Sequence, residues 1–97
     1  MADDLDIVVT LRVHAGQEAE AEALLREMEA ATVAHDAGCL RYEWYRAETP
    51  QTYVLLERWT DPAAVRAHLQ APHMAASFER MKSMLPGPFT PLVLAKL

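Results

Sequence analysis

Between Tyr53 and Leu85 the spacing of apolar residues changes from that of a strand to that of a helix, and the change falls on Asp61-Pro62. Before it, Tyr53, Leu55, Glu57 and Trp59 share one face at period two. Asp61 is then a helix N-cap and Pro62 a first helical residue. Val65, His68 and Leu69 lie along one stripe of the short helix that follows. Pro72 restarts a second helix, on which Met74, Phe78, Met81 and Leu85 form an apolar face. A strand feeding two helical pieces in so short a chain demands a sheet for those helices to cover. One glutamate, one tryptophan and two histidines fall inside the same stretch, the densest set of reactive groups in the protein.

The rest of the chain supplies that sheet. Leu5 to His14 reads as a strand, with Ile7, Val9, Leu11 and Val13 on one side. Glu18 to about His35 reads as a helix with Leu24, Leu25, Met28, Ala31 and Thr32 inward and glutamates crowding its first turns, where the dipole favours them. Asp36-Ala37-Gly38 ends this helix, with Gly38 a left-handed residue. Cys39 to Glu48 is a second strand, Thr49-Pro50-Gln51-Thr52 a hairpin connection, and Tyr53 to Thr60 a third strand. After Pro86-Gly87-Pro88, Phe89 to Leu97 is a last strand.

The order β-α-β-β-α-β is the ferredoxin-like split unit, an α+β fold with a four-stranded antiparallel sheet and helices on one face. Ninety-seven residues hold one core, so residues 1–97 form a single domain. The second and third strands lack a clean polar face, and Trp44 and Trp59 read as lying on opposite alternation classes. An apolar patch on the uncovered face calls for a partner, and a homodimer packed sheet against sheet is the simplest closure.

Composition excludes several classes. A net charge of −5 and a pI near 5.2 argue against an electrostatic nucleic-acid binder. No run of apolar residues is long enough for a membrane span. The acidic Met1-Ala2-Asp3-Asp4 start lacks the regions of a signal peptide. One cysteine, Cys39, forms no internal disulfide and reads as inert packing. A cytoplasmic location is the resulting expectation.

The candidate chemistry centres on four residues. Glu57 sits mid-strand among leucines and a tryptophan, where a carboxylate is costly unless paired. It either forms an ion pair with Arg41, Arg12 or a partner-chain arginine, or it orients a histidine or accepts a substrate proton. Trp59 points the same way and packs in the core, at a dimer interface or against a ligand. His68, on the inward side of its helix, is suited to proton transfer near neutrality, or is a buried histidine bonded to backbone or Glu57. His73 opens the next helix, where the dipole favours the neutral imidazole that a base needs, or serves as a cap. His14 and His35 are expected in solvent. The histidines do not fall at i,i+4 on one helix and no carboxylate set accompanies them, so no metal ligation is expected. Met74, Phe78, Met81 and Met84 are core residues that could also form an adaptable wall for a flat aromatic ligand. Tyr42, Tyr45 and Tyr53 offer phenols whose direction depends on register. No phosphate loop, Ser/His/Asp set or dinucleotide fingerprint is present.

The pattern Glu57-x-Trp59-x-Asp61, then His68, then Pro72-His73, resembles the antibiotic biosynthesis monooxygenase family. Cys39-Leu40-x-Tyr42-Glu43 and the closing strand are similar as well, so the likeness covers roughly residues 5 to 97. It implies a dimeric α+β barrel that oxidises a quinol, an anthrone or a similar electron-rich aromatic with dioxygen and no cofactor. On that likeness His68 accepts or polarises the substrate hydroxyl and Glu57 orients it. Trp59, Tyr42 and Phe78 shape the substrate box, with His73 and Met81 beside them. A haem-degrading branch of the same fold carries an Asn, a Trp and a His where this chain has Val9, His68 and Phe78, and none of the three agrees. An isomerase of small phosphorylated metabolites on this fold would need cations around its pocket, for which Arg12, Arg41, Arg46 and Arg58 are available. A non-catalytic dimeric module that binds a small aromatic is the third reading.

Overall fold

A computed structural model describes residues 4–97; the Met1-Ala2-Asp3 stretch of the acidic start lies outside the described residues. Strand β1 (Leu5–Arg12) turns at Ala15-Gly16 into helix α1 (Glu18–His35), and β2 (Cys39–Arg46) and β3 (Thr52–Trp59) form a hairpin. Helices α2 (Pro62–Gln70) and α3 (Pro72–Met81) follow, and β4 (Leu92–Leu94) closes the sheet. All pairings are antiparallel, in the order β2-β3-β1-β4. This is the ferredoxin-like α+β arrangement expected from the alternation of periods. No helix among the described residues is long and apolar enough to cross a membrane.

Register decides what each face of the sheet carries. Ile7, Glu57 and Tyr42 form one cross-strand row, Val9, Leu55 and Trp44 the next, and Leu11, Tyr53 and Arg46 a third. Their apolar members pack under the helices with Leu24, Leu25, Met28, Met74 and Met81. Trp44 pairs with Leu55, which shares its alternation class with Trp59, so both tryptophans face the helices and not opposite sides as the sequence suggested. A bulge between Cys39 and Arg41 adds Leu40 as an extra residue and brings Cys39 level with Trp59. The other face presents Val8, Val54, Leu56, Leu92 and Leu94 beside the Asp6–Arg58 ion pair at 2.7 Å. No element among the described residues covers it.

Two element ends differ from expectation. β4 pairs only along Asp6 to Val8, where a strand from Phe89 to Leu97 was expected. Pro91 has no N–H to give a ladder, and Pro88 and Pro86 precede it. Helix α3 ends at Met81, so Leu85 lies beyond it, and the turn residue Met84 reaches the core instead.

The corner between α1 and β2 sets the functional geometry. Gly38 holds φ +84°, and its carbonyl accepts the Thr60 N–H at 2.9 Å. A Cβ there would stand 2.7 Å from the Ala64 Cβ and 2.8 Å from the Thr60 Oγ1. Only glycine therefore lets the end of α1 lie directly against the start of α2. Gly38→Ala should cost about 2–4 kcal/mol, from left-handed strain plus overpacking, read as a lowered urea midpoint; an unchanged midpoint would mean the corner relaxes freely.

Candidate active site

That corner places Asp36, the C-cap of α1, against the junction of α2 and α3. Asp61 caps α2 by accepting the Ala64 N–H at 2.9 Å, and Pro62 opens the helix. Ala71, forced into extended backbone by the following Pro72, breaks α2 from α3. The break brings His68, near the end of one helix, and His73, near the start of the next, to the same carboxylate. Asp36 Oδ2 meets His68 Nδ1 at 2.5 Å, and Asp36 Oδ1 meets His73 Nε2 at 2.9 Å. The side chains of His68 and Asp36 are only 3% and 8% exposed, with His73 at 20%. The set thus runs from the core toward the surface.

Burial alone would raise the Asp36 carboxyl, but the hydrogen bonds from His68 and His73 outweigh it and hold the group below the usual carboxylate range. An ionised carboxylate only accepts, so both facing ring nitrogens carry protons. His68 is then the Nδ1–H tautomer, its Nε2 lone pair without a protein partner among the described residues. Burial pushes its pKa below the ordinary histidine value, opposed by the bond to Asp36. Neutral near physiological pH, fixed in tautomer and free at Nε2, His68 has what a general base requires. Its ring is held by Trp59, with centroids 4.6 Å apart, and by the edge of Tyr42 at 5.4 Å. Asp36, His68 and His73 are also a donor set that a divalent ion could use. A tetrahedral ion would spread those donors to roughly 3.3 Å, wider than the hydrogen bonds they make with each other.

His68 lies on the wall of a cavity of about 220 Å³ between the sheet and the helices. The floor is Ile7, Val9, Leu55, Tyr42 and Trp44; the helical side is Val65, Met74, Phe78 and Met81; Phe89, Pro91 and Val93 close the edge. Glu57 is the carboxyl on this wall, and no lysine or arginine lines it. Glu57 is buried, accepts the Trp59 Nε1–H at 2.9 Å, and has its pKa raised by burial against the effect of that bond. The Trp44 Nε1–H is buried with no partner among the described residues.

Of the residues singled out in the sequence, Glu57, His68, Tyr42, Phe78 and Met81 meet at this cavity. Trp59 does not line it: fully buried, it backs His68 and holds Glu57. His73 stands on the far side of Asp36. Among the described residues Glu57 forms no ion pair with Arg41 or Arg12, which fall in the opposite alternation class, on the uncovered face. Nor does it orient His68, whose Nδ1 goes to Asp36. Arg41, Arg46 and Arg58 pair with Glu43, Glu22 and Asp6 away from the cavity. Asp36 is the functional residue that sequence reading missed. Its signal was present: a carboxylate at a helix C-terminus opposes the dipole and needs compensating donors.

The comparisons bear on the family and the fold. The model of the antibiotic biosynthesis monooxygenase family matches residues 6–80. A candidate antibiotic biosynthesis monooxygenase from Caulobacter crescentus CB15 is 25% identical, with a TM-score of 0.92 over 99% of this chain and 92% of its own. Rv0793 of Mycobacterium tuberculosis is 24% identical, with a TM-score of 0.89 over 98% and 96%. PA3566 of Pseudomonas aeruginosa is 23% identical, with a TM-score of 0.90 over 100% and 97%; these last two share the fold. No curated protein matches significantly. With the family model covering most of the chain, from β1 through all but the last residue of α3, this protein belongs to the antibiotic biosynthesis monooxygenase family.

Proposed function

We propose that the protein is a cofactor-independent monooxygenase acting on an electron-rich aromatic alcohol of the quinol type, working as a homodimer. The observation that carries this reading is one free imidazole nitrogen, held by a buried carboxylate, on the wall of an otherwise apolar cavity. A cavity of about 220 Å³ is smaller than the roughly 300–1,000 Å³ of drug-sized sites. One- or two-ring quinols therefore suit it better than a three-ring anthrone. His68 Nε2 takes the hydroxyl proton, and the imidazolium formed is stabilised by Asp36. The resulting aryloxide passes one electron to dioxygen. The radical pair joins at a ring carbon that bears hydrogen, and the peroxide loses water to leave a quinone oxygen. Apolar walls favour dioxygen and keep the radical pair from water. The absence of any cation from the cavity wall weighs against a phosphorylated substrate.

With a panel of hydroquinones and naphthohydroquinones, oxygen uptake should exceed the spontaneous rate, persist in chelator, and fall by about 10²-fold or more in His68→Ala. Equal uptake by both proteins would remove His68 from the mechanism, and no uptake above the spontaneous rate would leave a binding module. Because the base must be neutral, the acid limb of the profile should follow His68, with kcat rising as pH passes its lowered pKa. In Asp36→Asn the anion that favours the imidazolium is gone, so this limb should move to lower pH while kcat drops by at least about tenfold; an unmoved limb would separate Asp36 from the chemistry. Leu56→Arg, on the uncovered face, should convert a dimer to a monomer in size-exclusion chromatography with light scattering, and a dimeric variant would place the interface elsewhere.

A further inference from the structure

Glu57 has a burial that the base mechanism does not use. Its side chain is flanked across the strands by Ile7 and Tyr42, and it faces the cavity among Val9, Leu55 and Met74. The one hydrogen bond it makes is from Trp59, to Oε1. The one strand cation on its side of the sheet, Arg46, is held by Glu22 at the rim, and no lysine or arginine lines the cavity to compensate a charge; the titratable groups that face it are Tyr42, His68 and the half-buried Cys39. Burial in such a place favours the protonated acid, opposed only by the one indole N–H. The Oε2 has no protein partner among the described residues, so the hydroxyl of the acid is available to a bound molecule. Two titratable groups on one wall are thus set apart: a base without its proton and an acid that retains one.

We propose that Glu57 is the proton donor of the site, delivering the hydrogen of its carboxyl group to the oxygen that leaves when the peroxide collapses. The inference rests on the oxygenase reading above. His68 first takes the hydroxyl proton of the substrate. After dioxygen has accepted an electron and bonded to the ring carbon, the imidazolium returns that proton to the terminal peroxide oxygen. In the second half-reaction His68 Nε2 takes the proton from the same ring carbon, and those electrons form the carbon–oxygen double bond. The O–O bond breaks, and the departing hydroxide takes the Glu57 proton and leaves as water. The imidazolium then restores the Glu57 proton. Substrate and dioxygen become a quinone and water, one oxygen atom in each, with dioxygen the oxidant throughout. Without the donor, hydroxide is a poor leaving group and the hydroperoxide persists. The same acid and base define the ligand: a planar molecule with one oxygen that donates to His68 and a second polar atom that accepts from Glu57.

The test uses Glu57→Gln, which keeps the shape and a donor but has no transferable proton, with 1,4-naphthohydroquinone in single-turnover experiments. Hydroxylated quinone should form about 10²-fold more slowly, and the oxygen that is consumed should appear as organic hydroperoxide. The alkaline limb of the wild-type pH profile should be absent from the variant. Glu57→Asp, a shorter acid, should recover part of the product. Wild-type and Glu57→Gln proteins with the same product yield and the same pH profile would overturn the proposal. If Glu57→Gln fails to fold, judged by near-ultraviolet circular dichroism, the carboxyl is titrated directly in the wild type by ¹³C NMR. The same titration decides the matter if the wild type consumes no oxygen above background, an outcome that sinks the oxygenase reading separately. A Glu57 that ionises at or below the ordinary glutamate value overturns the donor role; one that ionises well above it supports the role.

Discussion

The site depends on one carboxylate placed where a carboxylate is least welcome. Asp36 ends α1, so the helix dipole opposes its charge, and it is largely out of water. Two imidazole N–H groups from separate helices make the arrangement tolerable. Everything that brings them together follows from that need: the left-handed Gly38, the Asp61 cap, and the break at Ala71-Pro72. Remove the carboxylate and His68 loses both its tautomer and its orientation. Remove the histidines and Asp36 is a buried anion at the wrong end of a helix.

The second constraint is the row Ile7–Glu57–Tyr42. Antiparallel register sends every arginine of β1, β2 and β3 except Arg46 to the uncovered face, and Arg46 is held by Glu22 at the rim. Glu22 is correspondingly held far down, at about 2, by Arg46 and Tyr53. Charge is thereby confined to the edges of the sheet, and the space under the helices keeps a single carboxyl opposite a single free imidazole nitrogen. A low local dielectric then strengthens each polar contact inside it.

The fold was legible because its signals are local. Alternation in Ile7 to Val13, the stripe of Leu24, Leu25 and Met28, and the Asp61-Pro62 start each report on a few neighbouring residues. His68 and Glu57 could be named because each is a polar group on an apolar stripe, whereas Tyr42, Phe78 and Met81 were named through helical spacing and the family likeness. What failed was pairing. The placement of Trp44 relative to Trp59 depends on a register that the bulge at Leu40 resets. The ion pair expected for Glu57 required arginines that register directs elsewhere. Asp36 was read only as a helix end, since its partners lie more than thirty residues away. Contacts of that separation are made by the closing of the fold, and no local pattern encodes them.

The short β4 has a meaning beyond the ladder it completes. The proposed acid, base and anchor stand on β3, α2 and the end of α1, whereas one edge of the cavity is Phe89, Pro91 and Val93. That edge belongs to a segment joined to the sheet along only three residues of β1. The residues assigned to proton transfer and the segment that limits what fits beside them therefore lie on separate parts of the chain. A substitution at Phe89 or Val93 would change the space beside the proposed base without touching His68, Asp36 or Glu57.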